Sequence, residues 1–541
     1  MEIKDWKEAR KFTPEKFALA RRVLEAVQQG EDVSQAVRKN PLPGGAGYLG
    51  KNVLVAAYRQ LIESGEWSAD PELLARIRMK PVRTLSGVTV VTVLTKPYPC
   101  PGGCVFCPTD TRMPKSYLPD EPGAMRGLHH DFDPFDQVAS RLEALQAVGH
   151  PTDKIELLIL GGTWSAYPKG YQQWFVRRCF DALNGEIADS LQEAQTCNET
   201  ASHRNVGMAV ETRPDLIDVT ELVWLRTLGV TKVQIGAQSF DNRILQLNKR
   251  GHRVEDTQKA VALLRQAGFK IVLHWMPNLL GATPESDRED FLHMWAGLSP
   301  DEIKIYPTQL LANSQLYKLW LDGKFKTYTT QELVGLIADI KTTIPRYCRV
   351  NRVVRDIPST NVVEGNKRTS LRQDIQREMR QRGTQCQCIR CREIRRQTAN
   401  RDQLRTEDLV YETGVSQEHF LSYVTLEDRL AGFLRLCLPH LASGPGNQIT
   451  LSFPELVDAA IIREVHVYGQ SLELGAQQGG LAQHIGLGSE LVSKAEEIAR
   501  DRGFKRMAII AAVGTRQYYL QRGYTRGNHY MIKELSPEGS S

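Results

Sequence analysis

Three cysteines lie close together just after an apolar run near residue 90. Cys100, Cys104 and Cys107 have the spacing C-x3-C-x2-C, and an aromatic residue precedes the last of them. Three thiolates in one loop can hold three irons of a 4Fe–4S cluster and leave the fourth iron open to a ligand. A structural zinc site is the alternative, but zinc usually takes four protein ligands, and no further Cys or His follows at zinc spacing. The spacing therefore favours an open iron–sulfur cluster.

A glycine motif follows the next apolar run. Gly161, Gly162 and Thr163 come directly after the predicted strand 155–160, and Gln238 lies at the end of another predicted strand. Taken alone, Gly-Gly-Thr after a strand is more often a turn. Together with the cysteine loop it resembles the radical S-adenosylmethionine enzymes, whose glycine motif meets the methionyl amine. That resemblance implies that the open iron binds S-adenosylmethionine and that electron transfer releases a 5′-deoxyadenosyl radical.

A second cysteine triplet lies near residue 390. Cys386, Cys388 and Cys391 form C-x-C-x2-C, which places three thiolates at zinc-like separation. A second iron–sulfur cluster and three incidental cysteines are the alternatives. A structural zinc is favoured because the triplet falls between predicted domains, although the fourth ligand is not evident. Clustered thiols in a chain with ten cysteines also indicate a reducing, cytoplasmic compartment rather than a secreted disulfide scaffold.

A glycine loop near the carboxyl terminus precedes a predicted helix. Its Q-x-x-G-x-G pattern, residues 483–488, resembles the acetyl-CoA loop of GNAT-type acetyltransferases, where the helix N-terminus holds a pyrophosphate. The strand before it resembles the splayed strand that pairs with pantetheine amides. Tyr518 and Tyr519 follow in a further motif of that superfamily, or are core aromatics. The predicted acetyl-CoA contacts are Glu464, Val465, His466, Val467, Gln483, Gly486, Leu487, Gly488, Ser489 and Tyr519.

These motifs sit on four predicted regions. Residues 1–80 have helical apolar spacing and are expected to form a helical N-terminal region, to which the family resemblance given below assigns tRNA binding. Strand and helix patterns alternate over 81–330, which predicts a parallel sheet in a partial (β/α) barrel, with chemistry at the carboxyl ends of the strands. Residues 331–405 are predicted to be a basic linker that carries the zinc-type triplet. Residues 406–541 predict a GNAT-type α/β domain, so the fold class is α/β.

Charge is concentrated in one segment. Between residues 341 and 405 there are 17 Lys/Arg and 6 Asp/Glu, a local balance of +11, whereas the whole chain carries +6. A solvated face is the ordinary explanation, but an arginine-rich block beside a metal site favours a polyanion such as RNA. Arg390, Arg392, Arg395 and Arg396 are the predicted phosphate contacts. No apolar stretch approaches 18 residues and the first residues lack a signal-like apolar core, so neither a membrane span nor secretion is expected.

The motifs combined resemble the Elongator catalytic subunit family, in its prokaryotic type. The resemblance rests on 100–108, 114–117, 121–126, 386–393, 466–469 and 483–488. It implies an enzyme that makes 5-carboxymethyluridine at tRNA position 34 from acetyl-CoA and S-adenosylmethionine. It further implies that Lys154 contacts acetyl-CoA and acts with Tyr518 and Tyr519 in catalysis. The partners it implies are a tRNA anticodon stem-loop and a ferredoxin- or flavodoxin-type electron donor, and the compact cysteine loop suggests independence from other Elongator subunits.

The mechanism that follows joins the two cofactors. The 5′-deoxyadenosyl radical takes hydrogen from the acetyl methyl group, the carbon radical adds to carbon 5 of uridine, and oxidation and thioester hydrolysis leave a carboxymethyl group. Two competing hypotheses remain. A protein lysine acetyltransferase with a structural iron–sulfur cluster would not use S-adenosylmethionine, and a non-catalytic tRNA-binding factor would consume neither cofactor.

Overall fold

The computed structural model describes residues 12–43, 47–84, 86–395, 401–440, 448–468 and 486–535. The first of these form a small helical unit around a core that includes Leu24, Leu54 and Leu61, all fully buried. Thr13, outside this core, accepts a hydrogen bond from the first turn of the first helix, as N-cap residues do. The helices are α1 (Pro14–Gln28), α2 (Val33–Lys39), α3 (Lys51–Glu63) and α4 (Pro71–Ile77).

A parallel sheet forms the centre of the molecule. Seven strands of the described chain pair in parallel in the order β1-β2-β3-β4-β5-β6-β8. Helices cover its outer face, as expected for strand–helix alternation. The strands of the unit are β1 (Thr89–Leu94), β2 (Lys154–Leu160), β3 (Arg204–Thr212), β4 (Lys232–Gln238), β5 (Lys270–Trp275), β6 (Glu302–Ile305), β7 (Leu310–Leu311), β8 (Arg349–Arg352) and β9 (Val362–Glu364). A separate two-stranded antiparallel sheet is formed by β7 and β9.

The helices that follow these strands complete the partial barrel. They are α5 (Pro122–His129), α6 (Pro134–Ala147), α7 (Lys169–Asn184), α8 (Leu191–Asn198), α9 (Val219–Thr227), α10 (Asn242–Leu247), α11 (Val254–Gln266), α12 (Pro284–Leu292), α13 (Gln315–Leu321), α14 (Thr330–Thr342), α15 (Leu371–Gln381) and α16 (Ile389–Arg392). Residues alternate between two faces along each strand. In β2, Ile155, Leu157 and Ile159 are buried in the core shared with the helices, whereas Glu156 and Leu158 line the concave side.

The barrel sheet extends beyond the predicted boundary at residue 330. Strand β8 adds to β6 through the register Glu302–Arg349 and Ile303–Val350. The segment after residue 330 is therefore a helix and a sheet strand for much of its length, not a linker. The arginines made this segment resemble a solvent-exposed linker in the sequence, because polar residues on β8 face the interior of the barrel rather than solvent.

A second, mixed sheet forms the carboxyl-terminal domain. Its strands pair antiparallel except for the parallel contact between β13 and β14. None of the helices in the described part of the chain combines the length and apolar character that spanning a bilayer requires. The elements are β10 (Arg405–Glu412), β11 (Ser416–Val424), β12 (Leu430–Pro439), α17 (Gln448–Ser452), β13 (Ala459–Val467), α18 (Leu487–Asp501), β14 (Arg506–Ile509), α19 (Arg516–Leu520), β15 (Thr525–Arg526) and β16 (Met531–Glu534).

A buried ion-pair network joins the two sheets. Arg463 of the second domain contacts both oxygens of Asp301 in the barrel domain, at 2.5 and 2.9 Å. Arg435 lies 3.3 Å from Asp301 and 2.8 Å from Glu464. Breaking a buried pair by removing one partner costs about 3–5 kcal/mol, so these contacts lock the second domain onto the barrel.

Candidate active site

One cavity of about 2440 Å³ occupies the concave side of the barrel and continues to the second domain. The cysteine loop after β1 lines one end of it. The outer half of β13 and the start of α18 line the other end. Both predicted cofactor sites therefore open into the same space.

The cysteine loop is held against two arginines. Cys104 is 6% exposed, and its sulfur accepts a 3.1 Å hydrogen bond from Nη1 of Arg250. A hydrogen bond with Cys107 lowers the pKa of Cys104 to about 5, and the charge of Arg250 contributes to the shift. A side chain on Gly102 would meet the Arg213 guanidinium at 2.3 Å, so the loop packs tightly on these cations. Buried thiols beside cations favour the thiolate form that binds iron.

The glycine motif lies directly beside this loop. Gly161 has a φ of +151° and Gly162 a φ of +91°, and a Cβ on either would clash, with the Thr95 hydroxyl at 1.7 Å and the Lys115 carbonyl at 2.9 Å. Thr163 Oγ1 lies 3.4 Å from the sulfur of Cys100. Only glycine can follow this path, because the backbone must approach its neighbours closely.

Two buried polar atoms face the cavity near the cysteine loop. Oε1 of Gln238 and Nη1 of Arg213 have no hydrogen-bond partner among the described residues. Buried polar groups are normally satisfied, so these atoms indicate a polar ligand. An acceptor and a cationic donor suit the amine and carboxylate of an amino acid, and the residues therefore fit the methionyl end of S-adenosylmethionine.

At the opposite end of the cavity, β13 separates from its neighbour. The parallel pairing with β14 runs only from Ala459 to Ile462 in the described chain, so residues 464–467 leave backbone groups open on that side. Helix α18 begins next to this gap, and a Cβ on Gly488 would lie 3.0 Å from the Tyr518 hydroxyl and 3.7 Å from Val467. Free N–H groups at such a helix start can bind a pyrophosphate.

The other residues predicted to contact acetyl-CoA lie partly at the start of α18 and partly in the core of the second domain. Leu487 and Ser489 lie in the first turn of α18, and the hydroxyl of Ser489 accepts hydrogen bonds from Arg522 at 2.8 and 3.1 Å. Tyr518 stacks on Arg522, whereas Tyr519 is 7% exposed and packs in the domain core. The distance from Gly488 given above places the hydroxyl of Tyr518 beside the start of α18. Gln483 lies outside the described residues.

Comparison with known proteins identifies the family to which the chain belongs. Residues 98–294 match the Radical SAM superfamily and residues 300–381 match the Radical_SAM C-terminal domain. The tRNA uridine(34) acetyltransferase of Dehalococcoides mccartyi (strain CBDB1) is 43% identical over 461 residues, covering 84% of this chain and 99% of that protein. Elongator complex protein 3 of Homo sapiens is 34% identical over 538 residues, covering 95% and 96%. The chain belongs to the Elongator complex protein 3 family.

A solved structure agrees with this membership. The archaeal Methanocaldococcus infernus Elp3 with an N-terminal deletion matches at a TM-score of 0.71 and 36% identity, covering 83% of this chain and 100% of that one. The Radical SAM match also implies a 4Fe–4S cluster and S-adenosylmethionine, which the triad Cys100, Cys104 and Cys107 and the neighbouring polar atoms fit. The fold predicted from sequence is therefore that of this family.

In this Elongator complex protein 3 family member, Lys154 lies far from the cysteine loop. It opens β2 and pairs in register with Arg204, at the amino end of the sheet. A Cβ on Gly514 of the second domain would lie 2.6 Å from the Arg204 side chain. Lys154 thus lines the cavity where the barrel meets the second domain.

Sequence reasoning missed the charged side chains inside the barrel. Lys270 lies 2.7 Å from Glu302 and is also paired with Glu464 on β13. Lys232 contacts Glu156 and Glu302. The sequence of β4 could have indicated them, because Lys, Gln and Gly alternate there with apolar residues. A parallel strand that is buried on both faces is usually a continuous apolar run. Polar residues at every second position therefore indicate a barrel interior that can hold a ligand.

The second cysteine triplet forms a compact thiol group. The sulfurs of Cys386, Cys388 and Cys391 all lie within 4.8 Å of one another. Hydrogen bonds with Cys386 and Cys391 hold the pKa of Cys388 well below its usual range. Nζ of buried Lys341 has no hydrogen-bond partner in the described part of the chain, and its charge favours thiolates at all three positions. The donor set fits a thiolate-bound zinc, which remains a proposal.

Replacing Cys388 with serine is expected to remove this metal. Elemental analysis of the purified wild-type chain should give about one zinc, and the variant should give close to none, because zinc in structural sites relies on its thiolates. Cys437→Ser is the matched control, since that thiol is buried in the second domain. Iron in place of zinc at this site in the wild type would contradict the assignment.

The structure separates the four arginines predicted to bind RNA. Arg392 is 4% exposed and bonds Asp428 at 2.7 and 3.1 Å, so its prediction as a phosphate contact is wrong. Its partner lies 36 residues away, which the charge run could not reveal. Arg390 is partly buried on the cavity wall, Arg395 is exposed at the cavity edge, and Arg396 lies outside the described residues.

Proposed function

We propose that this chain modifies the wobble uridine of tRNA, using acetyl-CoA and S-adenosylmethionine to make 5-carboxymethyluridine. The observation that carries the proposal is the single cavity that connects the cysteine loop with the splayed strand β13. The relatives named tRNA uridine(34) acetyltransferase support the substrate. Enclosing both cofactors in one space keeps a reactive acetyl group away from water.

Different residues along this cavity are proposed to bind the two cofactors. Cys100, Cys104 and Cys107 would hold the cluster, which would supply the electron for cleavage of S-adenosylmethionine and so the radical needed to activate the acetyl methyl group. Gln238 and Arg213 orient the methionyl end at the cysteine loop. Residues 464–467 and the start of α18 hold acetyl-CoA, with Lys154 closing the site from the barrel and the Tyr518 hydroxyl beside the helix start. The new bond would join the acetyl carbon to carbon 5 of the uridine, whose hydrogen would leave as a proton while one electron passes to a one-electron acceptor. Water would then hydrolyse the thioester and release CoA.

The partners follow from this arrangement. The helical unit at residues 12–80 and the exposed arginines near the zinc-type triplet are proposed to bind the anticodon stem-loop. We further propose that a ferredoxin- or flavodoxin-type protein reduces the cluster, that the reaction takes place in the cytoplasm, and that other Elongator subunits are not needed.

One assay tests the proposal directly. Anaerobically reconstituted protein is incubated with tRNA, acetyl-CoA, S-adenosylmethionine and a reductant, and the digested nucleosides are analysed by mass spectrometry. We expect 5-carboxymethyluridine only when all components are present. Acetylated lysine peptides formed without S-adenosylmethionine would instead support a lysine acetyltransferase, and RNA binding with neither cofactor consumed would support a binding factor.

Arg395→Glu is expected to weaken tRNA binding and flatten its salt dependence. Each lost phosphate contact lowers the slope of log affinity against log salt by about one unit. Binding measured over a salt series gives both quantities, and acetyl-CoA affinity should not change. Lys494→Glu, on an exposed position of α18, is the matched control for charge reversal. A slope equal to that of the wild type would show that Arg395 does not contact phosphate.

A further inference from the structure

A polar layer crosses the middle of the barrel interior. Gln234 on β4, His274 on β5 and Lys304 on β6 are 2%, 3% and 8% exposed, and all three line the cavity. His274 and Lys304 are paired in register on adjacent strands. None of the cofactor contacts described above uses these side chains.

The layer lies close to the cysteine loop along β4. Gly236, two residues beyond Gln234 toward the carboxyl end, accepts a 2.6 Å hydrogen bond from Arg250 through its carbonyl. The same arginine donates to Cys104. A strand rises about 3.3 Å per residue, so the layer is about 7 Å below the level of Gly236.

A chain of ion pairs connects the region of the layer to the proposed acetyl-CoA end. Lys232 lies two residues before Gln234 on the same face of β4 and is 3.5 Å from Glu302. Glu302 binds Lys270 at 2.7 Å, and Lys270 is paired with Glu464 on the splayed strand. The three side chains therefore lie between the two cofactor ends, where a group that reacts with both must be placed.

The hydrogen bonds within the layer leave donors facing the cavity. Oε1 of Gln234 accepts from Nε2 of His274 at 3.1 Å and from the ammonium of Lys304. Because a lysine ammonium can only donate, the atom of the Gln234 amide that faces it must be the oxygen, and the NH₂ group of Gln234 is directed elsewhere. Among the described residues, no carboxylate lies within 4.0 Å of the Lys304 nitrogen. A buried cation without a paired anion is costly unless a ligand satisfies it.

An acceptor completes the set. The carboxylate of Glu211 lines the same cavity, accepts a 3.1 Å hydrogen bond from the Tyr117 hydroxyl and lies 3.9 Å from Nδ1 of His274. Burial lowers the pKa of Lys304 to about 8, and the charge of Glu211 opposes that shift, so Lys304 keeps its proton below that pH. The wall thus offers an ammonium, an amide NH₂ and a carboxylate.

We propose that Lys304, Gln234 and Glu211 bind the uracil ring of the substrate, with the Lys304 ammonium donating to a carbonyl oxygen of the base. Uracil presents two carbonyl acceptors on either side of an N3–H donor, which complements two donors and one carboxylate. Cytosine has an amino group in place of the C4 carbonyl and lacks the N3–H. Its amino group would therefore face a protein donor, and its N3 acceptor would face the carboxylate. The proposal rests on the proposed function and adds the residues that select the base.

The test uses the reconstituted full chain and synthetic anticodon stem-loops that differ only at the wobble base. Binding competition should show that the wild type prefers uridine to cytidine by about tenfold, as expected for a well-formed set of base contacts. In Lys304→Met the ratio should fall to about one, while phosphate contacts keep the general affinity. Lys259→Met, at an exposed position of α11, should keep the wild-type ratio.

A second measurement does not depend on the variant folding. A stem-loop with 3-methyluridine, which lacks the N3–H, should bind the wild type as weakly as the cytidine form. A wild type that does not discriminate among the three bases, or a Lys304→Met variant that keeps the wild-type ratio, would overturn the inference. Uridine preference retained in Lys304→Met leaves the proposed function standing, whereas loss of all RNA binding by the wild type refutes both.

Discussion

Cys104→Ser is expected to abolish the 4Fe–4S absorbance of the reconstituted protein and its release of 5′-deoxyadenosine. The Cys104 sulfur is buried, accepts a hydrogen bond from Arg250 and is flanked by Arg213, so its position in the loop is well fixed. A cluster that already leaves one iron open for S-adenosylmethionine cannot lose a protein ligand and retain its geometry. Absorbance after anaerobic reconstitution and mass spectrometry of 5′-deoxyadenosine measure the two effects.

Two controls separate loss of the cluster from loss of the fold. Cys179→Ser alters a fully buried thiol in α7, outside the cluster loop, and should form both the cluster and 5′-deoxyadenosine. The Cys104→Ser protein should still bind acetyl-CoA, because that site lies at the other end of the cavity. Normal 5′-deoxyadenosine release by Cys104→Ser would exclude the radical chemistry assigned to this loop.

The strands of the barrel were predictable where they are apolar. The runs 155–160, 232–236 and 270–275 predict β2, β4 and β5, since parallel strands covered by helices need apolar residues on the outer face. Strands β6 and β8 were missed because Glu302, Lys304, Arg349 and Asn351 interrupt the apolar pattern. Those same residues line the cavity, so the apolar pattern failed where the barrel encloses the cavity rather than packs against its helices.

The first strand of the second domain was missed for a different reason. Strand β10 is an edge strand with alternate residues exposed, and it carries Arg405, Glu407 and Asp408. Charged residues on an edge strand discourage association with other chains, but from sequence alone they are indistinguishable from a hydrophilic linker. The domain therefore begins with a strand that the local pattern does not reveal.

The site residues were predictable to the extent that they form local motifs. The cysteine loop, the glycine motif at 161–163 and the helix start at 486–489 are each contiguous, so they could be located from spacing, and the chemistry proposed for them followed from their resemblance to known families. Lys154 followed only from the family resemblance. The layer of Gln234, His274 and Lys304 is assembled from three strands, and no local spacing indicates which side chains meet across a sheet.

The second large effect is expected at the acetyl-CoA site. Gly488→Glu should lower acetyl-CoA affinity by about a hundredfold, since placing like charges together at a binding surface costs several kcal/mol. Gly488 is buried in the first turn of α18, and even a Cβ there would approach the Tyr518 hydroxyl at 3.0 Å. The longer carboxylate must enter the cavity and repel the pyrophosphate that the helix start is proposed to hold.

Calorimetry with acetyl-CoA measures this effect, and the absorbance of the iron–sulfur cluster shows that the barrel domain remains intact. Ser493→Glu is the matched control, because it adds the same charge to an exposed position of the same helix. It should bind acetyl-CoA with wild-type affinity. The Gly488→Glu protein should also fail to form modified uridine while it still cleaves S-adenosylmethionine, since cleavage depends on the opposite end of the cavity. Unchanged acetyl-CoA affinity in Gly488→Glu would place the pyrophosphate elsewhere and leave the gap beside β13 without a ligand.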